Sequence, residues 1–322
     1  MRETTNIFKI LSSYNRSQQE ISQFFAGLPA LRFFTLRQDV ASLTDMLNIL
    51  KRHYYSVDTI MEEVHQPCER LLLYCSFNRK RKRCVDVFSL IKTYEGHCCT
   101  FNYAALNDDR DFLLTDNSDI EFYVDPSAEY EQTNIISTSQ SGRGSGLSVV
   151  FDVEPEDYPP WSPLFSYGAK ILLSDPNDYP ETTVLYKYAL PGKSLDIKVE
   201  PRIFQCDDEI RRVPAAKRGC WFHDEVLLEH TNRYSFETCN TECKMQQYED
   251  TCGCIPYKYP SEKLYPVCEF KDLECLSDFR AYGVGNASVC SPPCFMECRD
   301  KKYSVTSDVM PLVTDLYPGN VT

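Results

Sequence analysis

The sequence predicts a disulfide-rich α+β fold, and three observations carry that prediction. Apolar residues recur at helical spacing between residues 17 and 50, short β-prone runs separated by turn residues occupy 146–199, and sixteen cysteines crowd into two windows. Residues 68–99 hold five of them and 206–298 hold eleven, while 1–67 and 100–205 hold none. At 322 residues and 43% apolar composition, the chain suits one large elaborated domain or two modest ones with a sizeable core. Its densest apolar stretches, Leu71 to Cys75 and Leu147 to Phe151, are short. A membrane-spanning helix needs roughly 20 apolar residues, so no segment is expected to cross a bilayer.

The first part reads as helix. Ser17-Gln18-Gln19-Glu20 fits a capping box, in which the Ser hydroxyl and the Glu carboxylate satisfy free backbone donors reciprocally. Ile21, Phe24, Phe25 and Leu28 follow at helix spacing until Pro29 stops the run. Val40, Leu43, Leu47 and Leu50 share a face of a second amphipathic helix. The polar faces of both are not basic, so these are core-facing stripes and not membrane-binding helices. The basic run Arg79-Lys80-Arg81-Lys82-Arg83 lies between Cys75 and Cys84. It reads as a solvated loop tip, with a protease-processing site or a contact for an acidic partner as the other readings.

The middle part reads as strands. Gly146 to Glu154 and Gly168 to Ser174 are β-prone, and Leu195, Ile197 and Val199 alternate with polar residues as in a half-buried strand. Tyr158-Pro159-Pro160, Asp175-Pro176-Asn177-Asp178 and Leu190-Pro191-Gly192 supply turns. Ser137 to Gly146 reads as a mobile loop, and its glycines do not complete a phosphate-binding fingerprint. Acidic residues from Asp108 through Asp125, interspersed with Tyr and Phe, read as an exposed loop that responds to pH if its carboxylates crowd together.

The last part is a cysteine module. Tyr234 to Thr251 suits a helix carrying Cys239 and Cys243 on one face, with Gly253 near its end. Four residues of helix rise about 6 Å, so two disulfides from this face would lie as successive rungs. Cys290, Cys294 and Cys298 follow at the same four-residue step. Two segments cross-linked in this way form a stiff rod, each bridge adding ~3 kcal/mol.

An even, crowded cysteine count implies an oxidising compartment. The N-terminus, Met1-Arg2-Glu3-Thr4-Thr5-Asn6, lacks the apolar run of a signal peptide. The two fit together if the chain is a piece of a longer protein whose targeting or anchoring segment lies outside it. Sequons at Asn15, Asn286 and Asn320 agree with export. A net charge of −13 argues against a nucleic-acid partner. Zinc is a minor alternative for the Cys239/Cys243 and Cys290/Cys294 spacings. His53, His65, His97, His223 and His230 form no HExxH pattern, and there is no GxSxG elbow, so no catalytic residue, metal site or cofactor is assigned. His223, Asp224, Glu225 and His230 read as the solvated start of a helix.

Gly96-His97-Cys98-Cys99-Thr100-Phe101-Asn102 resembles a tag of the degenerin/epithelial sodium channel family, in its insect pickpocket branch. Further tags follow in that family's order: Gly146-Leu147-Ser148-Val149 with Asp157-Tyr158, Gly168 to Leu173 leading into Asp175-Pro176 and Pro180, and Arg218-Gly219-Cys220. The Tyr234 to Cys243 helix, Cys252-Gly253-Cys254-Ile255-Pro256-Tyr257 and Cys290-Ser291-Pro292-Pro293-Cys294 complete the series. The resemblance runs from about residue 60 to about 305.

The resemblance implies the extracellular gating domain of a subunit of a trimeric sodium channel, gated by a ligand or by mechanical load. A secreted, disulfide-rich binding protein derived from such a domain is the alternative. It implies a helical finger over 1–95, antiparallel palm and β-ball strands with a knuckle over 96–220, a Cys-rich thumb over 221–298 and the start of a returning palm strand over 299–322. In that reading the family's two membrane helices and its selectivity filter are expected outside this sequence. Implied partners are homologous subunits in a homo- or heterotrimer, sodium ions in the full-length pore and an unknown extracellular ligand. The implied bridges are Cys75–Cys84, Cys252–Cys275, Cys254–Cys268, Cys239–Cys290 and Cys220–Cys294. The family's first extracellular cysteine has no counterpart, which leaves Cys98 or Cys99 without its partner. The family's close-spaced cysteine just before Cys290 is unmatched too, since Ser288 and Val289 stand there, which leaves Cys243 to Cys298 or Cys206, and Cys68 has no assigned partner.

Overall fold

Helix-forming residues fill the first stretch of the chain: α1 (Asn6–Ser13), α2 (Gln18–Gly27), α3 (Pro29–Phe33), α4 (Val40–Lys51), α5 (Val57–Val64) and α6 (Cys68–Leu71). Next come β1 (Leu72–Phe77), β2 (Lys80–Lys82), α7 (Cys84–Val87), β3 (Phe88–Thr93) and β4 (Gly96–Phe101). The strand-rich middle contains β5 (Leu147–Phe151), β6 (Ala169–Leu173), β7 (Leu185–Ala189) and β8 (Lys193–Phe204), followed by α8 (Ala215–Arg218) and β9 (Cys220–Trp221). The last part holds α9 (Phe236–Cys252), α10 (Leu273–Tyr282), β10 (Met296–Glu297) and β11 (Asp300–Pro311). This computed structural model describes residues 6–104, 135–138, 140–142, 144–158, 168–231, 233–260, 265–282 and 290–313. The acidic stretch 108–125, Asn286 and Asn320 lie outside the described residues. Asn15 is exposed, in the α1–α2 connection.

Local chemistry accounts for the helix starts. The Ser17 hydroxyl accepts from the Glu20 amide at 3.2 Å, and the Ser17 amide donates to the Glu20 carboxylate at 2.7 Å, closing the capping box. Ser56 and Thr59 form a second box at the start of α5. Pro29 does not simply end α2. It occupies the first position of α3, where its missing amide proton costs nothing. Gly27 lets α2 approach α4 closely, because a Cβ there would meet the Leu43 methyls at 2.8 Å. Ile21, Phe24, Leu43, Leu47 and Leu50 are almost fully buried, together with Ile7, Leu11, Val57 and Ile60. Tyr257, Phe270 and Leu273 from the cysteine module complete this core, with the Phe24 and Phe270 rings edge-on at 5.9 Å.

The helical reading of 1–95 fails after Leu71, where strands take over apart from the single turn α7. The apolar run Leu71 to Cys75 continues as β1. Strand β1 lies between β2 and β5 in an antiparallel sheet, and β3–β4 and β6–β7 are antiparallel hairpins. Part of the basic run is itself strand β2, after a tight turn in which Asn78 and Arg79 both have positive φ. The Gly-rich loop is anchored at both ends on Asn78, whose side-chain oxygen accepts from the Thr138 hydroxyl at 2.8 Å and the Gly146 amide at 3.0 Å. Strands β8 and β11 form a separate ribbon of twelve antiparallel residue pairs. Leu195 and Ile197 are half-buried there as expected, but Val199 is 42% exposed. One short pair, β9 with β10, is parallel.

The buried leucine stripe of α4 leads to a direct test. Replacing Leu47 with Ala should cost about 2–5 kcal/mol of stability, read from urea unfolding with the disulfides intact. Leu36→Ala, at a position 64% exposed, should stay within about 0.5 kcal/mol of the parent. Equal losses in the two variants would refute the assigned core.

Candidate functional site

Helix α9 starts where the Ser235 hydroxyl accepts from the Thr238 amide at 3.1 Å, and it ends at Gly253, whose φ of 68° suits only the left-handed cap. Between those caps the sequence is largely polar and has no continuous apolar stripe. Disulfides hold it instead. Cys243 is bonded to Cys290 and Cys239 to Cys294, with Cα separations of 5.6 and 5.8 Å, and Cys298 is bonded to Cys220 at 5.0 Å. From the last residue of the helix, Cys252–Cys275 fastens it to α10, and Cys254–Cys268 closes the intervening loop.

The implied pairings Cys239–Cys290 and Cys220–Cys294 are therefore corrected by one rung. The segment 290–298 runs antiparallel to α9, so its first cysteine meets the later helix cysteine. The implied register strands Cys243 and Cys298, whereas the observed one pairs all six thiols. Neither Cys298 nor Cys206 is the partner of Cys243. Cysteine pairing also answers the zinc alternative, because these four sulfurs are spent in S–S bonds. Among the described residues no cluster of three or more His, Cys, Asp or Glu side chains is arranged to hold a metal.

In the first window Cys75 pairs with Cys84, and Cys99 with Cys68. Cys98 and Cys206 are free thiols. Strand alternation separates the neighbours on β4. Cys98 lies opposite Ile91 and puts its sulfur 3.2 Å from the Thr93 hydroxyl, while Cys99 lies opposite Leu90. Burial pushes the Cys98 thiol up.

The amino end of α9 meets the foot of the long ribbon. Tyr234 is 1% exposed and donates its hydroxyl to the Phe295 carbonyl at 2.5 Å. The Phe236 amide donates to Glu297 at 3.1 Å, and the Trp221 indole to the Pro293 carbonyl at 2.9 Å, with Trp221 stacked on Phe295. The 175–183 turn joins the same place. The Tyr179 amide reaches the Thr238 hydroxyl at 3.2 Å, Thr183 donates to Glu237 at 2.7 Å, and Tyr303 of β11 donates to Asp175 at 3.0 Å. Asp178 sits among these groups. Burial, then the charges of Asp175 and Glu297, push its carboxyl up to about 8, against a hydrogen bond from Ser235.

The other side of the module touches the helical region through Lys258, which is only 2% exposed. Its ammonium lies 3.9 Å from the centre of the Tyr94 ring and 4.4 Å from that of Phe34, with Tyr259 farther off at 5.6 Å. A desolvated cation over aromatic faces is stabilised by the ring quadrupoles. Burial nonetheless lowers its pKa to about 8, against the pull of Glu181. Glu181 is 2% exposed, with Lys244 at 3.6 Å from one carboxylate oxygen. Lys51 also pairs with Glu269, and Arg280 donates to the Phe33 carbonyl at 2.5 Å.

His223, Asp224, Glu225 and His230 are not the start of a helix. Residues 223–225 form a turn, and each side chain has a structural partner. Asp224 accepts from Arg211 at 2.9 Å, Glu225 pairs with Arg218, His223 contacts Arg233 at 2.8 Å, and His230 lies 3.1 Å from Glu242. The sequence reading missed Lys258, Glu181 and Asp178. The run Pro256-Tyr257-Lys258-Tyr259-Pro260, a lysine between two tyrosines and two prolines, was the available signal for the first.

Asp178 links the joint to pH. Its folded-state pKa is raised above 3.8, so the stability gained by holding the proton is present at low pH and is lost as pH rises towards about 8. Asp178→Asn keeps the neutral shape and should flatten that loss. Between about pH 5 and pH 7.5, the parent should lose stability relative to the variant by up to about 1.4 kcal/mol per pH unit. Parallel pH profiles of thermal unfolding would contradict the assignment.

Comparison with known proteins places this arrangement. The family model described as amiloride-sensitive sodium channel matches residues 3–316. Sodium channel protein Nach of Drosophila ananassae is 22% identical over 279 residues, covering 85% of this chain and 49% of that protein. Pickpocket protein 28 of Drosophila melanogaster is 27% identical over 277 residues, covering 80% of this chain and 45% of its own length. The human epithelial sodium channel subunit beta is 22% identical over 254 residues, or 76% of this chain and 34% of that one. The chain thus spans about half the length of the Nach and pickpocket relatives. No helix among the described residues is long and apolar enough to cross a membrane. With a family model matching nearly its whole length, the chain belongs to the amiloride-sensitive sodium channel family.

Proposed function

We infer that this chain is the extracellular gating domain of a subunit of a trimeric sodium channel in the plasma membrane. In this reading 1–95 is the finger, 96–220 the palm and β-ball with a knuckle, 221–298 the thumb and 299–322 the start of the returning palm strand. The observation that carries the reading is the linkage at α9. Two disulfides tie the helix to the 290–298 segment, and a third, Cys220–Cys298, ties that segment to β9 two residues before the ribbon strand β11. The opposite face of the module is packed against the first helices through Tyr257, Phe270 and Leu273. A displacement at the helical end therefore reaches the ribbon through a body that resists bending. The ribbon also supports assembly with other subunits. Leu195, Val199, Ile203, Val305 and Val309 lie on one face by register, and Val199, Ile203 and Val309 are 42%, 60% and 57% exposed.

Replacing Cys239 and Cys294 together with Ser removes one rung without leaving an unpaired thiol. In whole-cell recordings of the full-length channel, the loss of ~3 kcal/mol of local constraint should change open probability or desensitisation. The sodium-to-potassium permeability ratio should stay the same. A changed ratio with unaltered kinetics would overturn the gating role. A secreted binding protein would give no current at all and would be recovered, glycosidase-sensitive, from the culture medium and not from the cells.

A further inference from the structure

The five cations Arg79 to Arg83 take no part in the coupling described above, and their placement is specific. They begin at the turn of the β1–β2 hairpin and run along β2, which is the edge strand of its sheet. The hairpin is fixed in shape by the Cys75–Cys84 bridge, and its register sets Lys82 opposite Cys75 and Lys80 opposite Phe77. Arg79, Lys80 and Arg81 are exposed and Lys82 is half-buried, while the Arg83 side chain is 79% exposed. Among the described residues, Arg79 to Lys82 have no carboxylate within ion-pair distance, and Arg83 has only Asp86, at 3.6 Å. Arg81 lies 5.6 Å from the centre of the Tyr74 ring, which holds its guanidinium without neutralising it.

Cations on an edge strand discourage pairing with another sheet. Five adjacent positive charges repel one another, and here they persist on a chain of net charge −13. We propose that this disulfide-clamped hairpin is a docking site for a sulfated polysaccharide of the cell surface or matrix. Three of the five side chains are arginines, whose planar forks engage oxyanions through two parallel hydrogen bonds. A polyanion laid along the edge strand displaces its own condensed counterions, as in other dense polyanion contacts. The disulfides set the compartment outside the reducing cytosol, where neither nucleic acid nor the anionic lipid of the cytoplasmic leaflet is the resident polyanion. The proposal rests on the extracellular placement given above. Binding by the purified chain is read independently of that placement, so a cytoplasmic location and a failure to bind are separate results.

The test is binding of the purified, disulfide-intact chain to a heparin octasaccharide, to its desulfated counterpart and to phosphatidylserine vesicles, with salt varied around 0.15 M. Three to five contacts, at the roughly 0.7–0.9 ions released per contact measured for nucleic acids, put the log–log salt slope between about −2 and −4.5. Desulfation, or conversion of Arg79, Lys80, Arg81, Lys82 and Arg83 to Gln, should weaken binding by about tenfold or more. Peptide mapping of Cys75–Cys84 confirms the hairpin in that variant. If it does not fold, Lys80→Gln with Arg81→Gln, both at exposed positions, should still lose about threefold. Undiminished binding by the variants, equal binding of desulfated heparin, or tighter binding to the vesicles would overturn the proposal.

Discussion

A helix of 17 residues with mostly polar side chains and no continuous apolar stripe has little to gain from packing. Along α9 the buried positions are Thr238, Cys239, Thr241, Met245 and Tyr248, so two of the five are threonines and one is a bonded cysteine. Covalent cross-links replace the missing hydrophobic seam. Their spacing along the helix also fixes where the partner segment sits. Everything beyond the rungs depends on that position: Glu297 must reach the Phe236 amide, Tyr234 must reach Phe295, and β11 must leave the module at a set angle to pair with β8. At the other end, the bridges to α10 and within the loop hold Phe270 and Leu273 in the core of the first helices.

The two joints of this body are electrostatically unlike. The joint with the ribbon gathers carboxyl groups, Asp175, Asp178 and Glu297, and burial raises the pKa of the last two. The joint with the helices gathers a buried ammonium, its aromatic faces and one enclosed carboxylate. Ionisable groups held away from water in this way are sensitive to small displacements, because their stabilisation depends on a few neighbours at fixed distances. Both therefore lie where relative motion of the module against the rest of the chain would be felt first.

Much of this was legible in the sequence, for identifiable reasons. The leucine stripe of α4, the capping box at Ser17 and the Gly253 stop are local patterns, and local patterns need no knowledge of the partner. The existence of rungs on α9 followed from the four-residue spacing of Cys239 and Cys243. Their register did not, because it depends on the direction of a segment some fifty residues away. The choice between Cys98 and Cys99 was likewise decided by which side of β4 faces Cys68, a matter of tertiary placement. Lys258, Glu181 and Asp178 were missed because their partners come from three separate stretches of the chain. Helical periodicity also could not announce the change to strand after Leu71, since a short apolar run serves either structure.

The central claim is that the disulfide-bonded α9 and its partner segment move as one rigid body. Amide hydrogen exchange along α9, measured with the bridges intact and again after selective reduction of Cys239–Cys294 and Cys243–Cys290, tests it most directly. The account predicts that the intact helix exchanges as slowly as α4, which is held by a buried apolar stripe and no disulfide, and that reduction accelerates α9 while leaving α4 unchanged. Rapid exchange along α9 with every bridge in place would contradict it.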